Sequence, residues 1–228
     1  MKKNIIDEHK VFEINDNLEL TVTTIGPAKS KIVIVDNFYK NPYDVRNLAI
    51  SIPPTYNKRI INCLPGGRID AFYQLDHFAA VYDKIIRDVY LTVQEKINIS
   101  DYGIHSIFKN ATFCCNVLSS SEIVPTNPHV DHRDKYRFAS GIFLNTPDEC
   151  HGGTSFYTYK GSQEGPEPNS VPKTKYITDS IDDWELIYLA EMKFNRMILY
   201  EQNILHTAYI KPGMFENGTY RLLQMFFI

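Results

Sequence analysis

Pro128-His129-Val130-Asp131 places two candidate metal ligands one residue apart. Side chains alternate between the two sides of an extended segment, so His129 and Asp131 are expected to point to the same side. Imidazole and carboxylate both suit iron(II), and two histidines with one carboxylate leave coordination positions open on the metal. The stretch therefore predicts part of a metal site that needs a second histidine from another strand.

His206 is the candidate for that second histidine, because it begins a β-branched and aromatic run at residues 206–210. Farther along, Arg221 interrupts a mainly apolar stretch that continues to Ile228. An arginine there should face a pocket with an anionic partner, since burying its charge unpaired is costly. Its planar fork matches a carboxylate with two hydrogen bonds. We therefore take His129, Asp131 and His206 as the candidate metal ligands and catalytic centre, and Arg221 as the anchor of a bound anion.

A His-x-Asp pattern alone carries little information. The chain has seven histidines, and with aspartate at about one residue in fifteen roughly half a match is expected by chance. Its position between predicted strands and the order of the later motifs are what give it weight.

The overall composition is that of an ordinary globular protein. With 228 residues and a net charge of −3, the chain is long enough for one domain and lacks the basic surface that nucleic-acid binding requires. Lys2 and Lys3 are followed by only two apolar residues, so we expect neither a signal peptide nor a membrane span. The four cysteines suggest neither a disulfide framework nor a zinc site. A reduced, cytoplasmic protein is expected.

The first half of the chain predicts strands and two helices. Loose alternation over residues 10–24 and the β-branched run 31–38 predict strands. Asn41 and Pro42 predict a helix start before Pro53, and apolar residues at helical spacing predict a second helix capped by Asp76. Residues 55–74, centred on Pro65-Gly66-Gly67, are expected to be irregular.

The second half predicts a β core. Apolar and β-branched runs separated by turn signals suggest a closed or double-sheet all-β structure; they occupy residues 104–118, 136–145, 153–159, 185–190, 196–200, 204–210 and 219–228. Residues 161–175 read as a surface loop, and residues 179–184 as a short helical turn. We expect a single domain, 1–228, in which residues 1–103 support a core formed by residues 104–228.

An ordered series of motifs over residues 111–228 resembles the iron(II)- and 2-oxoglutarate-dependent dioxygenases, in particular their prolyl-hydroxylase-like branch. The motifs are His129-Val130-Asp131, residues 140–145 (SGIFLN), residues 151–156 (HGGTSF), residues 195–200 (NRMILY), His206 and Arg221. The resemblance implies a mainly β fold with flanking helices: a double-stranded β-helix, or cupin-like jelly roll, with the N-terminal helices packed on one sheet. It also implies Fe(II) as cofactor with 2-oxoglutarate and O2 as co-substrates.

The implied reaction is hydroxylation of an unactivated C–H bond with release of succinate and CO2. The substrate would be a small molecule, an amino acid or a peptidyl residue, selected by Arg133 and the 161–175 loop. Arg221 would bind the far carboxylate of 2-oxoglutarate. Phe143 departs from the pattern, because some relatives place there a tyrosine that hydrogen-bonds this carboxylate. A second donor is then needed, and the candidates are Asn116, Gln224 and Tyr209.

Other assignments remain open at this point. Lys211 is a rival for the anchor, although it precedes Pro212 in a turn. A non-catalytic jelly-roll module that binds a small anion or sugar, and a metal hydrolase with the same three ligands, are the alternative functions. The sequence makes no statement about oligomeric state.

Overall fold

The computed structural model describes residues 6–55, 66–90, 112–131, 137–162, 165, 170–173 and 175–228. Arg133, the front of the predicted 104–118 run and part of the predicted 161–175 loop lie outside the described residues.

The described elements are mostly strands. The helices are α1 (Glu8–Val11), α2 (Pro42–Ser51) and α3 (Ala79–Tyr90), the last preceded by a 3-10 turn at Asp76–Phe78. The strands are β1 (Glu19–Ile25), β2 (Ser30–Asp36), β3 (Gly67–Phe72), β4 (Thr112–Leu118), β5 (Phe138–Phe143), β6 (Gly153–Tyr159), β7 (Trp184–Glu191), β8 (Met197–Glu201), β9 (His206–Tyr209) and β10 (Arg221–Phe227).

These strands form two antiparallel sheets. The large sheet has seven strands in the order β1-β2-β8-β5-β10-β4-β3, and the small sheet has three in the order β7-β6-β9. An isolated bridge between His129 and His206 extends the small sheet beyond β9. The expectation of a mainly β protein with flanking helices is therefore confirmed. In the described part of the chain, no helix is long and apolar enough to span a membrane.

Strand β10 shows how the large sheet separates two cores. Leu222 and Phe226 belong to a cluster that includes Tyr82 of α3 and Val45 of α2. Leu223, on the opposite side of the strand, belongs to a cluster shared with Phe156 of the small sheet. The alternation of side chains along the strand thus directs one face toward the helices and the other toward the second sheet. Arg221, two residues before Leu223, lies on the face directed at the small sheet.

The prediction of an irregular segment over residues 55–74 is wrong for β3, which pairs with β4 in register from Gly67 opposite Val117. The Gly66-Gly67 pair suggested a loop, but Gly66 has φ +93° and a Cβ there would lie 2.2 Å from the carbonyl oxygen of Val117. Glycine therefore permits the close approach that brings β3 onto the sheet edge.

Three smaller predictions also need correction. Residues 179–184 form a tight turn closed by hydrogen bonds between Ile181 and Trp184 rather than a helical turn. Within residues 10–24 the strand begins only at Glu19, and the first residues of this range belong instead to the end of α1, at Val11. Asp76 does not cap a helix with its side chain; it lies inside the 3-10 turn that Leu75 precedes.

Candidate metal centre

His129 and His206 are brought together by their own backbones. The N–H of His129 donates to the carbonyl oxygen of His206 at 3.0 Å, and the N–H of His206 donates back at 2.8 Å. Asp131 N–H extends this pairing to the carbonyl oxygen of Gln202 at 3.1 Å. Val130, between the two candidate ligands, packs on the other side of the small sheet against the cluster of Tyr157 and Leu205. The alternation predicted for this stretch therefore directs His129 and Asp131 into the space between the sheets.

One ligand atom each from His129, Asp131 and His206 lies within 4.8 Å of the others. Asp131 Oδ1 is 4.0 Å from His129 Nε2, and Asp131 Oδ2 is 3.5 Å from His206 Nε2. Ligand atoms about 2 Å from one metal ion lie about 3 Å from each other. Small side-chain rotations would therefore allow the three groups to share one ion.

His206 presents a free nitrogen to this group. Its Nδ1 lies 2.9 Å from the carbonyl oxygen of Ile204, which assigns the proton to Nδ1 and leaves the Nε2 lone pair available. Burial lowers the pKa of His206 to about 4 against the opposing effect of this hydrogen bond, and the charge of Arg221 adds to the decrease. The imidazole is therefore neutral at pH 7, the form that binds metal.

His129 occupies the outer side of the group. Burial lowers the pKa of His129 to about 4, the neighbouring His206 adds to the decrease, and the charge of Asp131 opposes it. The side chain nevertheless keeps 41% of its surface exposed, compared with 8% for His206. An ion at this position would therefore have protein on the His206 side and access to solvent on the His129 side.

Arg221 is buried between the sheets, with 3% of its surface exposed. Its Nη2 donates to the carbonyl oxygen of Gly153 and to Oγ1 of Thr154, both at 3.3 Å, and its guanidinium carbon lies 5.6 Å from the ring centre of Phe143. Its Nε has no hydrogen-bond partner, and no carboxylate in the described part of the chain forms an ion pair with it. Burial lowers the pKa of Arg221 to about 10, so the group stays charged at neutral pH. A buried cation with unused donors is what an anion-binding pocket requires.

Tyr200 is a site residue that sequence reasoning missed. Its ring centre lies 4.9 Å from those of His206 and Phe156, and only 7% of the residue is exposed. Burial raises the pKa of its hydroxyl, Asp131 raises it further and Arg221 lowers it, so the hydroxyl lies within electrostatic reach of both. No described residue forms a hydrogen bond with this hydroxyl. The alternating pattern of β8 could have placed Tyr200 on the inner face, but not next to His206.

A protein-family model matches residues 16–165 and 160–217 of the chain, which together span most of its length. The chain belongs to DUF6445, a family of unknown function. The matched ranges contain His129, Asp131 and His206, whereas Arg221 follows them. None of the curated proteins matches this DUF6445 member.

Gln224 was a candidate contact for the co-substrate, and its position in this DUF6445 member argues against that role. It lies three residues after Arg221 and therefore on the opposite face of β10. Its Oε1 accepts a hydrogen bond from the Tyr39 hydroxyl at 2.7 Å, in the helix-side core. Gln224 is thus separated from Arg221 by the sheet itself, and we correct the earlier expectation accordingly.

Asn116 does lie on the face that carries Arg221. It pairs with Leu223 in register, and Arg221 pairs with Leu118 two residues farther along β4. Residues directly opposite each other in an antiparallel pair share a face. Asn116 is buried, with 9% of its surface exposed, so it remains a candidate contact for a molecule bound between the sheets.

The last two candidates, Lys211 and Tyr209, lie outside this space. Lys211 Nζ lies 2.9 Å from Asp179 Oδ1 at the surface, so its charge already has a partner. Tyr209 lies three residues after His206 and therefore on the outer face of β9, where it also hydrogen-bonds with Asp179. Of the two possible anchors, only Arg221 is buried beside the candidate metal centre.

Proposed function

We propose that this protein is an Fe(II)- and 2-oxoglutarate-dependent dioxygenase that hydroxylates an unactivated C–H bond. The proposal depends above all on one observation: the His129, Asp131 and His206 ligand atoms converge in the same inter-sheet space as the buried, unpaired charge of Arg221. The proposed substrate is a small molecule, an amino acid or a peptidyl residue.

The donor set fits iron(II). Two neutral imidazoles and one carboxylate occupy one side of an ion and leave the opposite side open to other ligands. Both histidines have pKa values of about 4, so they offer nitrogen lone pairs without first losing a proton at pH 7. Asp131 supplies the one negative charge of the set. When bound, iron(II) with 2-oxoglutarate and O2 supplies the oxidising chemistry, converting the 2-oxo acid to succinate and CO2 as one oxygen atom enters the substrate.

Arg221 is the proposed partner of the far carboxylate of 2-oxoglutarate. Its hydrogen bonds to Gly153 and Thr154 fix the guanidinium plane, and its remaining N–H groups can bind a carboxylate. Phe143 packs against the guanidinium and excludes water but offers no hydroxyl. Tyr200, within reach of both Asp131 and Arg221, is the better placed hydroxyl donor.

We also propose that the two sheets form a double-stranded β-helix. From β4 onward the chain passes repeatedly between the sheets, with only β6 and β7 consecutive in one sheet: β4, β5, β8 and β10 lie in the large sheet, whereas the His129 bridge, β6, β7 and β9 lie in the small one. This alternation is the winding of a jelly roll built from two antiparallel sheets. The candidate metal ligands would then lie just inside its wall.

The proposal is tested by purifying the protein anaerobically and measuring bound iron(II), followed by succinate release from 2-oxoglutarate. We expect one iron(II) per chain and slow succinate release even without substrate. His129→Ala should abolish both, because one of three ligands is lost. His151→Ala is the matched control, since His151 is exposed and lies outside the three-residue group. Unchanged iron binding and turnover in His129→Ala would disprove the site.

The same measurements separate the alternative functions. A non-catalytic module would fold and melt identically with and without metal and 2-oxoglutarate. A metal hydrolase would bind metal but release no succinate. The unpaired charge of Arg221 beside the three ligands favours the dioxygenase over both.

A further inference from the structure

The backbone of Val130 points away from the small sheet. On either side of it, His129 exchanges two backbone hydrogen bonds with His206, at 3.0 and 2.8 Å, and Asp131 N–H donates to the carbonyl oxygen of Gln202 at 3.1 Å. Backbone groups of successive residues in a strand point to opposite sides, so the N–H and carbonyl group of Val130 point away from β9. Neither group forms a hydrogen bond in the described part of the chain. This edge of the sheet therefore offers one donor and one acceptor between two candidate metal ligands.

Two earlier residues of the same segment support this orientation. Pro128 has no N–H, and proline is tolerated in sheets where that N–H would face away from the other strands. Thr126 precedes Val130 by four residues, so its backbone should point the same way. Its N–H and carbonyl group bond to Lys175 and Ile177, at 3.2 and 3.4 Å, rather than to β9. The protein itself thus pairs a short segment with this edge at Thr126, and within the described residues the edge is open again at Val130.

A strand paired with Val130 would place some of its side chains beside the metal ligands. Neighbouring strands are about 4.8 Å apart, and alternate residues of each strand point to the same face. Every second side chain of the added strand would therefore point to the face that holds His129 and Asp131, roughly one strand spacing from them. This is also the side on which solvent reaches the site, because 41% of the His129 side chain is exposed. A C–H bond on such a side chain would lie within reach of the open side of a bound ion.

Lys173 adds a positive charge next to this edge. Val171 accepts a hydrogen bond from the Asn127 side chain at 3.1 Å, and Lys175 accepts one from the N–H of the residue before Asn127 at 3.2 Å. Lys173 lies between these two anchored residues. Burial is the main cause of the lowered His129 pKa, and the charge of Lys173 contributes to the decrease, so its ammonium lies within electrostatic reach of that ring. In the described part of the chain Lys173 forms no ion pair, which leaves it available to an acidic group of a bound molecule.

We propose that an extended segment of a peptide or protein pairs with Val130 as an added strand, and that one of its inward-pointing side chains is hydroxylated. An acidic side chain of the same segment pairs with Lys173. The hydroxylation rests on the proposed dioxygenase function, whereas the backbone pairing does not. Of the three proposed substrate classes, only a peptidyl residue is flanked by amide N–H and carbonyl groups at the spacing of a strand. The substrate is accordingly a residue within a chain rather than a free amino acid.

The test uses the full-length protein loaded with Zn(II) and saturated with 2-oxoglutarate. The probes are short synthetic peptides selected from a random library for binding to this protein, and each amide nitrogen of the tightest peptide is then methylated in turn. Methylation of the amide that donates to the Val130 carbonyl oxygen should raise the Kd at least roughly fivefold. Methylation of the amides next to it should leave the Kd nearly unchanged, because neighbouring amides of a strand point to opposite sides.

Two substitutions of Val130 separate its backbone from its side chain. Val130→Pro removes the outward N–H without removing a hydrogen bond of the described chain, and it should raise the peptide Kd by a similar factor. Val130→Ala is the matched control, because it shortens the side chain and keeps both backbone groups. It should bind the peptide nearly as the wild type does. Bound Zn(II) is measured in both variants, and if Val130→Pro loses the metal, the methylation series on the wild type decides.

The role of Lys173 is tested by comparing a selected peptide that contains aspartate with its asparagine counterpart. Lys173→Met should remove the preference for the acidic peptide, a factor of about two to five for an exposed ion pair. Lys160→Met is the control, because Lys160 pairs with Asp183. It should keep the preference of the wild type. An equal preference in Lys173→Met and wild type would contradict the contact.

Three results would overturn the peptide site: failure to select any peptide, a methylation series without alternation, or unchanged affinity in metal-loaded Val130→Pro. A dimer that dissociates on the Val130→Pro substitution, seen by sedimentation, would also overturn it, because a second copy would then occupy the edge. With iron(II) and O2, the bound peptide should gain one oxygen atom as one 2-oxoglutarate becomes succinate and CO2. A peptide that pairs at Val130 but is never oxidised would contradict the dioxygenase function and leave the peptide site. Succinate release without any peptide binding would do the reverse.

Discussion

The Nη2 of Arg221 lies 3.3 Å from Oγ1 of Thr154, so a side chain of the large sheet is hydrogen-bonded to one of the small sheet. The contact crosses the space in which we place the co-substrate. Thr154 is buried, with 4% of its surface exposed, and it therefore orients the guanidinium where water cannot replace it. The position of the anchor thus depends on both sheets.

Thr154→Val should weaken 2-oxoglutarate binding without displacing the backbone. Valine keeps the shape of threonine but accepts no hydrogen bond, so the guanidinium loses one orienting contact. The loss of about 1 kcal/mol corresponds to a roughly fivefold higher Kd, measured by titrating 2-oxoglutarate into the metal-loaded protein. Thr154→Ser keeps the acceptor and should bind nearly as the wild type does. Equal Kd values for Thr154→Val and wild type would contradict this role.

Gln224→Leu should lower stability and leave 2-oxoglutarate affinity unchanged. The substitution leaves the buried Tyr39 hydroxyl without its acceptor, at a cost of about 1 to 3 kcal/mol. Urea unfolding gives the stability and titration gives the affinity. Tyr39→Phe in the Gln224→Leu background should recover part of the loss, because both partners are then apolar. A fall in 2-oxoglutarate affinity at unchanged stability would return Gln224 to the binding site.

Asn145→Ala should impair both stability and anion binding. The Asn145 side chain accepts from Leu222 N–H at 2.8 Å and donates to the Tyr220 carbonyl oxygen at 2.6 Å, so it fixes the residues on either side of Arg221. Loss of two buried hydrogen bonds should cost about 2 kcal/mol or more. The measurements are urea unfolding and 2-oxoglutarate titration. The exposed Asn17 gives the control Asn17→Ala, and similar values for both variants would show that Asn145 is dispensable.

The metal-free protein should lose stability as the pH falls from 6.5 toward 4. The pKa of His206 is about 4 in the folded protein against 6.5 for the free side chain, a difference worth about 3 kcal/mol. Between these values the unfolded chain binds more protons than the native one, so acid favours unfolding. The measurement is urea unfolding at several pH values.

His206→Gln should flatten this pH profile, because glutamine does not titrate. His129 contributes in the same direction, so part of the slope should remain in that variant. A wild-type stability that is constant between pH 6.5 and 4 would contradict the neutral state of these imidazoles.

The sequence predicted correctly those side-chain orientations that depend only on neighbouring residues in one strand. One residue separates His129 from Asp131, and strand alternation alone brings them to one side. The same rule could have removed Gln224 from the site, because an odd separation from Arg221 places it on the opposite face. The sequence-based prediction gave more weight to its amide group than to its position in the strand.

Relations that depend on packing could not be predicted. Tyr200 reaches His206 only because β8 and β9 lie in different sheets that face each other. Strand β3 escaped detection because its partner strand β4 lies forty to fifty residues later in the chain. No local pattern near Gly66 indicates that partner.

The reciprocal backbone hydrogen bonds of His129 and His206 also affect how well the folded protein resists proteolysis. Two reciprocal backbone bonds, continued by the one from Asp131 to Gln202, pair this segment with the edge outside β9, and an ion between the two rings would join the same segments a further time. Metal binding and closure of this edge then form one equilibrium, in which the bound ion protects the amides from hydrogen exchange and the segment from proteases. If the ion is the iron(II) that we propose, a cell short of iron should hold less of this protein.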